Sequence, residues 1–457
     1  MDSVSNLLIL YAGVVLGNTV LSAILWYKEK VDLYKSLFYV WISTLATFFL
    51  QGFLTAHSHL VIIYGFSICI LIGLSLSIII EKTANIKVGW GKFFVFQLFA
   101  YLLTYILFMN KASFTIMAMP ICLSASAPLF YTAIKALLKQ FKTLTFTGKG
   151  FIYSCLLLGA HEIDFAFFRH RPEFAQLGYT LACLIIFILS IFAFAIVLEY
   201  ITKEKSRVSA EINVAQRIQS EILPKKPTIP GYELVTYMKP ADEVGGDYYD
   251  IYDFKDFSWV LLGDVTGHGL GSGLVMFMIQ SIMSSILHTK QDISPSELNY
   301  IANQILYKNL ERLNEKRPTT MVSICLKPDK KITISGCHDN IYLYRAKDDI
   351  VETIKLEMFP LGLGFINDLS KELFTEKTFK LNPKDILFIG TDGITEAFRT
   401  NNGTEECYTE ERLITIFQKN ANNSLETIKD KLIQDLDTFT DTSYKDDLTF
   451  LIIKAKS

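Results

Sequence analysis

The stretch Gly263-Asp264-Val265-Thr266-Gly267-His268-Gly269 decides how the second half of this chain is read. A β-branched and apolar run at 259–264 leads into it, and a long helical pattern at 270–288 follows. One aspartate in a glycine-rich turn is ordinary turn chemistry. Here the arrangement recurs. Gly245-Gly246-Asp247-Tyr248-Tyr249-Asp250, Gly390-Thr391-Asp392-Gly393-Ile394-Thr395-Glu396 and Lys445-Asp446-Asp447-Leu448-Thr449 each set an acid against a hydrophobic strand. Glycine at such places permits tight turns and close approach to a ligand. Four acidic clusters at strand edges predict ligands converging on a hard cation, since carboxylate and carbonyl oxygens suit Mg²⁺ or Mn²⁺ and not zinc.

Outward from these clusters, short strand-like runs stand at 232–237, 321–326, 331–335, 341–345, 386–391 and 448–454. Helical patterns interrupt them at 270–288 and 294–314, and return at 409–417 and 424–439. Strands, helices, strands, helices and a final strand describe an α/β layered domain over 225–457, not a βαβ alternation. Other signatures are missing. Gly245-Gly246-Asp247 is followed by two tyrosines where a diguanylate cyclase needs Glu-Phe, and the glycines at 267, 269, 271 and 273 never give G-x-G-x-x-G. No P-loop or kinase motif set occurs, and the segment before the domain has no phosphoacceptor histidine.

The first half is in a different solvent. Residues 1–200 carry 13 Lys/Arg and 8 Asp/Glu, against 31 and 38 in residues 201–457. Apolar runs at 7–27, 37–56, 60–80, 93–110, 113–134, 151–168 and 175–198 are each long enough for a hydrocarbon core of roughly 30 Å. The reading is seven membrane spans over 1–200. With the C-terminus cytoplasmic, 13 Lys/Arg fall inside and only Lys111, Arg169 and Arg171 outside, which predicts N-out, C-in. Asp2, with no early Lys or Arg, argues against a cleaved leader at the first run. In the sixth span His161 and Asp164 share a helix face and Glu162 points elsewhere. Ionisable groups at that depth mark either a polar clamp between helices or a ligand site. Seven cysteines without any C-x-x-C indicate reduced thiols.

Between the halves, 201–224 is charged and free of glycine up to Pro224, with Ile201, Val208, Ala215 and Ile222 repeating every seven residues. This predicts a connector helix with a short coiled-coil seam, either a spacer or a rod that carries movement into the next domain within a homodimer.

Taken in order, Ala215-x-x-Ile218-Gln219-x-x-Ile222-Leu223-Pro224, the Asp247 and Asp264 clusters, Pro360-Leu361-Gly362, the Asp392 cluster through Ala397 and Asp446-Asp447-Leu448-Thr449 resemble the SpoIIE-type branch of the PPM metal-dependent serine/threonine phosphatases across 210–457. The run from His161 to Arg169 also resembles a segment of seven-helix modules that precede bacterial signalling outputs. The first resemblance implies a PPM-type β-sandwich flanked by helices, with a dinuclear Mn²⁺/Mg²⁺ centre. By position Asp247 would bridge both metals, Asp264 and the Val265 carbonyl would be ligands, and Asp392 and Asp446 would complete the second site. Asp250 and Asp447 would support them, with Asp447 the alternative ligand to Asp446. Such a centre activates water and clamps phosphoryl oxygens, so neither a nucleophilic Ser or Cys nor a phosphoenzyme is needed. His268 would be a proton donor or a structural hydrogen-bonder, and His338 structural. Many PPM enzymes hold the substrate phosphate with an arginine near the first strand; here the nearest cation before Asp247 is Lys239.

The expected protein is therefore a membrane phosphatase acting on a phosphorylated regulator of the anti-sigma-factor-antagonist kind. Nucleic acid is not an expected partner, since 201–457 has a net charge of −7. Two other classes fit less of the sequence: a non-catalytic receptor that uses the fold for docking, and a transporter with a regulatory domain.

Overall fold

The structure, a computed structural model, describes all residues except 1, 54–57, 170, 226, 339, 357–361, 368, 402–403, 443 and 457. Two compact units divide at 206/207.

The first unit is helical: α1 (Asp2–Glu29), α2 (Asp32–Phe53), α3 (His59–Phe66), α4 (Cys69–Thr83), α5 (Gly91–Met109), α6 (Phe114–Gln140), α7 (Phe146–Phe168) and the start of α8 (Pro172–Ile222). Helix α6 packs against α3, α4, α5 and α7. Its buried face is built from small residues, among them Ala118, Ser124, Ala125, Ala133 and Ala136. Small side chains allow apolar helices to approach closely, and at Gly73 of α4 an added methyl would stand 2.9 Å from the Ala125 carbonyl oxygen. The run read as one span at 60–80 is broken between α3 and α4. Ser67 lies at the break: its hydroxyl donates to the Tyr64 carbonyl at 2.6 Å and accepts from Tyr101 at 2.6 Å, and its backbone N–H bonds the same carbonyl at 3.1 Å in a tightened turn. Leu, Phe and Ile side chains on the outer faces, such as Leu98, Phe94 and Ile188, stay exposed.

Eight stretches among the described residues are long and apolar enough to cross a membrane, seven of them beginning in the first unit. The eighth is α9 (Leu270–Thr289) of the second unit. Its apolarity has a local cause, because Val275, Met276, Ile279, Met283 and Leu287 are buried in that unit's core.

The second unit has two antiparallel five-stranded sheets. One runs β1 (Tyr232–Lys239), β12 (Leu448–Ala455), β9 (Ile386–Gly390), β6 (Ile341–Arg345), β7 (Ile350–Ile354). The other runs β2 (Tyr248–Asp253), β3 (Ser258–Val265), β4 (Thr319–Leu326), β5 (Lys331–Cys337), β8 (Lys377–Lys380). A hairpin, β10 (Phe398–Asn401) and β11 (Thr404–Cys407), stands apart. Period-2 alternation explains the layers. Leu343, Leu387, Ile389, Leu451 and Ile453 share one core with β3, β4, α9 and α10 (Pro295–Leu313). Their neighbours Tyr344, Ile386, Phe388, Phe450 and Ile452 point the other way, into a second core under α11 (Glu410–Asn420) and α12 (Leu425–Thr440). Phe388 stacks on Phe450 at 5.5 Å and meets Phe417 of α11 at the same distance. Truncating it to alanine would cost about 3–5 kcal/mol. The result is two sheets between two helical layers, as expected for the α/β domain.

Two expectations need adjustment. Residues 248–250, read only as part of an acidic cluster, lie within β2. In the Pro360-Leu361-Gly362 motif, Pro360 and Leu361 lie outside the described residues, as does Asp339 beside His338. Gly362 has φ +73°, with its backbone against Thr319, so any side chain there would be strained.

Candidate metal-dependent active site

The antiparallel registers gather the acidic clusters. Tyr248 pairs with Gly263, which sets Asp247 beside Asp264 at adjoining strand ends. Phe450 pairs with Gly390 and Lys239 with Leu448, bringing 391–392, 446–447 and 240–241 to the same edge. Hydrogen bonds then tie the loops. The Thr391 hydroxyl lies 3.0 Å from Asp247 Oδ2 and 3.3 Å from the Thr449 carbonyl, and it accepts from Thr449 N–H at 3.2 Å. Asp447 Oδ1 accepts from Ala241 N–H at 2.7 Å, and its Oδ2 from Gly246 N–H at 2.5 Å.

Each aspartate has a distinct setting. Asp247 is buried, and its Oδ1 has no hydrogen-bond partner. Burial holds its carboxyl well above the usual carboxylate range, and the nearby charges of Asp264 and Asp447 push it further in the same direction. Asp264 is half-buried in β3, and Val265 closes that strand, fully buried. Asp392 is half-buried just after β9. Asp446 is exposed, with Oδ1 accepting from Asp447 N–H at 2.8 Å, whereas Asp447 is buried and occupied by backbone donors. That difference favours Asp446 over Asp447 as an ion ligand. Asp250 faces other partners: Tyr252 donates to it at 2.6 Å and Tyr248 at 3.3 Å.

Glycine is required where these loops close. A Cβ at Gly246 would stand 2.7 Å from the Val265 carbonyl oxygen, and one at Gly245 would stand 2.7 Å from Asp447 Oδ2. Gly267 and Gly269 have φ of +85° and +83° and turn β3 into α9. Among the described residues, no three acidic, histidine or cysteine side chains are drawn together tightly enough to grip an ion as they stand. The donor set nonetheless fits a divalent hard cation. A buried carboxylate oxygen without a partner, pressed by neighbouring carboxylates, is the setting a cation relieves.

Three residues given no role at this site by the sequence belong to it. Thr391 joins three loops, as above. Gln219, in the last turns of α8 and 3% exposed, donates its amide to the Gly245 carbonyl at 2.9 Å and accepts from Gly245 N–H at 3.1 Å. Arg317, from the segment between α10 and β4, donates to the Thr266 carbonyl at 3.3 Å and pairs with Glu315 at 3.4 Å. Its guanidinium lies against Gly267 and Gly271, within 3.2 Å of where their Cβ atoms would be. Lys239, the cation nearest Asp247 in sequence, instead sits over the Tyr444 ring at 4.3 Å. His268 is exposed and hydrogen-bonded to Asp242 at 2.6 Å, which raises its pKa. His338 bridges the sheets: Nε2 is 3.1 Å from the Gly390 carbonyl, and Nδ1 is 2.8 Å from the Thr320 hydroxyl.

Residues 256–456 match the family model of Stage II sporulation protein E (SpoIIE). The C-terminal domain is a SpoIIE-type PP2C phosphatase domain. Over 256 residues the chain is 27% identical to the phosphoserine phosphatase RsbU of Bacillus subtilis, covering 55% of this chain and 72% of RsbU. Over 270 residues it is 23% identical to protein IcfG of Synechocystis, covering 53% of this chain and 41% of IcfG. The solved SiaA-PP2C domain of Pseudomonas aeruginosa aligns with 55% of this chain and 98% of its own, at 17% identity and a TM-score of 0.47. The family match begins at 256, so the SpoIIE-type domain reaches the Asp264, Asp392 and Asp446 loops through it, and the Asp247 loop through the strand pairing of β2 with β3.

Proposed function

We propose that this chain is a membrane-anchored signalling phosphatase that hydrolyses phosphoserine or phosphothreonine on a cytoplasmic regulator of the anti-sigma-factor-antagonist kind. Asp247 carries the reading: it is a buried carboxylate with one orphan oxygen, set beside the carboxylates of Asp264 and Asp447 from two other loops. Asp247, Asp264, the Val265 carbonyl, Asp392 and Asp446 would hold two Mn²⁺ or Mg²⁺ ions. When bound, such a pair supplies an activated water and neutralises charge on the phosphoryl group.

The chain's own groups do the rest. Thr391 fixes the orientation of Asp247 by donating to Oδ2. Asp447 pins the 241 and 246 backbones, so the Asp247 loop keeps its place. Arg317 offers a planar fork suited to a phosphate. His268, its proton strengthened by Asp242, suits protonation of the departing seryl oxygen.

Anchoring rests on the seven long apolar stretches that begin in the first unit, and the Lys/Arg distribution supports an outside N-terminus and a cytoplasmic catalytic domain. We read 201–224 as a connector that pairs with a second copy. Val208, Ile218 and Ile222 leave an exposed apolar stripe along α8, as a coiled-coil seam would.

The test is hydrolysis of p-nitrophenyl phosphate and of a phosphoserine peptide by the full chain in detergent, with and without Mn²⁺. Mn²⁺-dependent turnover is expected, falling at least ~100-fold in Asp247→Asn and in Asp392→Asn. A well-folded wild-type chain that neither turns over nor binds Mn²⁺ would leave only a docking role for the domain.

A further inference from the structure

The first unit carries a half-open cavity of about 610 Å³ between α1, α2, the α3–α4 pair, α7 and α8, a size that holds a drug-sized molecule. Its walls are apolar and largely aromatic, with Tyr11, Phe48, Phe66, Phe165, Phe168 and Tyr179 among them. One turn of α7 adds three ionisable groups to this wall, His161, Glu162 and Asp164. His161 and Asp164 satisfy each other at 2.8 Å, as their shared face predicts. Glu162, expected to point elsewhere, lines the same space. It is 4% exposed, and its Oε2 has no hydrogen-bond partner.

A clamp between helices would leave no buried acceptor orphaned, because such an oxygen keeps the full cost of its lost hydration. Glu162 lines the cavity while its orphan Oε2 is tucked behind that wall, so an entering donor completes it once the carboxyl turns into the space. The molecule must bring a hydrogen-bond donor. With Asp164 close by on the same helix, a positively charged donor is favoured and a carboxylate is opposed. Aromatic walls also favour an organic cation over a neutral donor. Arg169 lines the cavity too, but it stands seven residues beyond Glu162, about 10 Å along the helix.

We infer that this cavity binds a lipophilic amine, an alkyl- or arylalkylammonium whose apolar body fills the aromatic space and whose N–H donates to Glu162 Oε2. The site would make the membrane unit a receptor for amphiphilic amines, whatever the C-terminal domain does.

The test uses the full chain in phosphatidylcholine nanodiscs, titrated calorimetrically with 4-phenylbutylamine, with empty nanodiscs subtracted and 4-phenylbutyrate as the anionic counterpart. Saturable binding of the amine is expected, with no saturable binding of the carboxylate and an affinity at least tenfold weaker in Glu162→Gln. A second readout needs no variant. Cys183 lines the cavity, whereas Cys407 is exposed in the other unit. The amine should slow alkylation of Cys183 by N-ethylmaleimide and leave Cys407 unaffected. No saturable amine binding, equal binding of the carboxylate, or an unchanged affinity in a folded Glu162→Gln would overturn the inference. If that variant does not fold, failure of the amine to protect Cys183 in the unaltered chain would do the same.

Discussion

Gln219 and Gly245 exchange two hydrogen bonds, amide to carbonyl at 2.9 Å and backbone N–H to amide oxygen at 3.1 Å. The pair joins the end of α8 to the loop that carries Asp247. Both Gly245 backbone groups are buried, so neither finds water if the amide leaves. Gln219→Met keeps the volume and removes both bonds, leaving two buried groups unsatisfied at about 1–3 kcal/mol each. We expect Mn²⁺ affinity and turnover to fall ~10–100-fold. Gln219→Glu retains the acceptor and loses the donor, and should lie between. Isothermal titration with Mn²⁺ alongside p-nitrophenyl phosphate kinetics checks both. If the Met variant loses thermal stability but binds Mn²⁺ like wild type, the pair is structural only.

Asp446 and Asp447 are neighbours with opposite duties. Asp447 accepts backbone N–H groups from Ala241 and Gly246 while buried. Replacing it with Asn turns an amide NH₂ toward one of those donors. The loss is about 2 kcal/mol, the scale of a hydrogen bond to a charged group, and should lower the unfolding midpoint by roughly 4–8 °C. Asp446→Asn leaves those bonds alone. It should keep the midpoint and lose Mn²⁺ binding. Differential scanning calorimetry and Mn²⁺ titration on both variants separate the roles; the reverse pattern would make Asp447 the ligand.

What was legible in the sequence was local. Strands β3, β9 and β12 were visible because each is a β-branched or aromatic run ending in a turn residue, and the acids at their edges marked the site. Strand β2 was missed because Asp247 before it and Asp250 and Asp253 within it look like loop, although Tyr248 and Tyr249 are buried. The short strands β7, β8, β10 and β11 carry charged alternation and lie at edges or apart, where burial leaves little pattern. Helix α9 is as apolar as a membrane span, and only the acidic motif before it tells which solvent it meets. Gln219, Thr391 and Arg317 act on partners 26, 144 and 51 residues away, and nothing in local sequence marks such a contact.

His338 gives the domain a pH dependence. Burial lowers its pKa to about 4 from the ordinary 6.5, and the neutral ring is held between Thr320 and Gly390. Between these two values the unfolded chain binds more protons than the folded one. The stability is therefore complete above pH 6.5 and is lost as pH falls through the window toward 4. His338→Gln cannot titrate, so its stability should vary less over that range. Urea midpoints measured from pH 4 to 7 for both proteins decide it, and parallel slopes would show that His338 contributes nothing.

Arg317 makes the sharpest kinetic prediction, because its place on the Gly267–Gly271 turn can serve either the loop or the substrate. The bond to the Thr266 carbonyl, at 3.3 Å, is long and the Glu315 pair is half-exposed, so the loop alone draws little from this side chain. A guanidinium beside the Asp264 loop matches a phosphate dianion held equally in ground and transition states. Arg317→Ala should then raise KM for a phosphoserine peptide ~10–100-fold, the worth of one or two charged hydrogen bonds, with kcat within about threefold. Arg317→Lys keeps the charge without the fork and should recover only part of the affinity. Steady-state kinetics with saturating Mn²⁺ reads both parameters. A fall in kcat at constant KM would mean that Arg317 acts on the transition state, and a change in neither would leave it a strap for the loop.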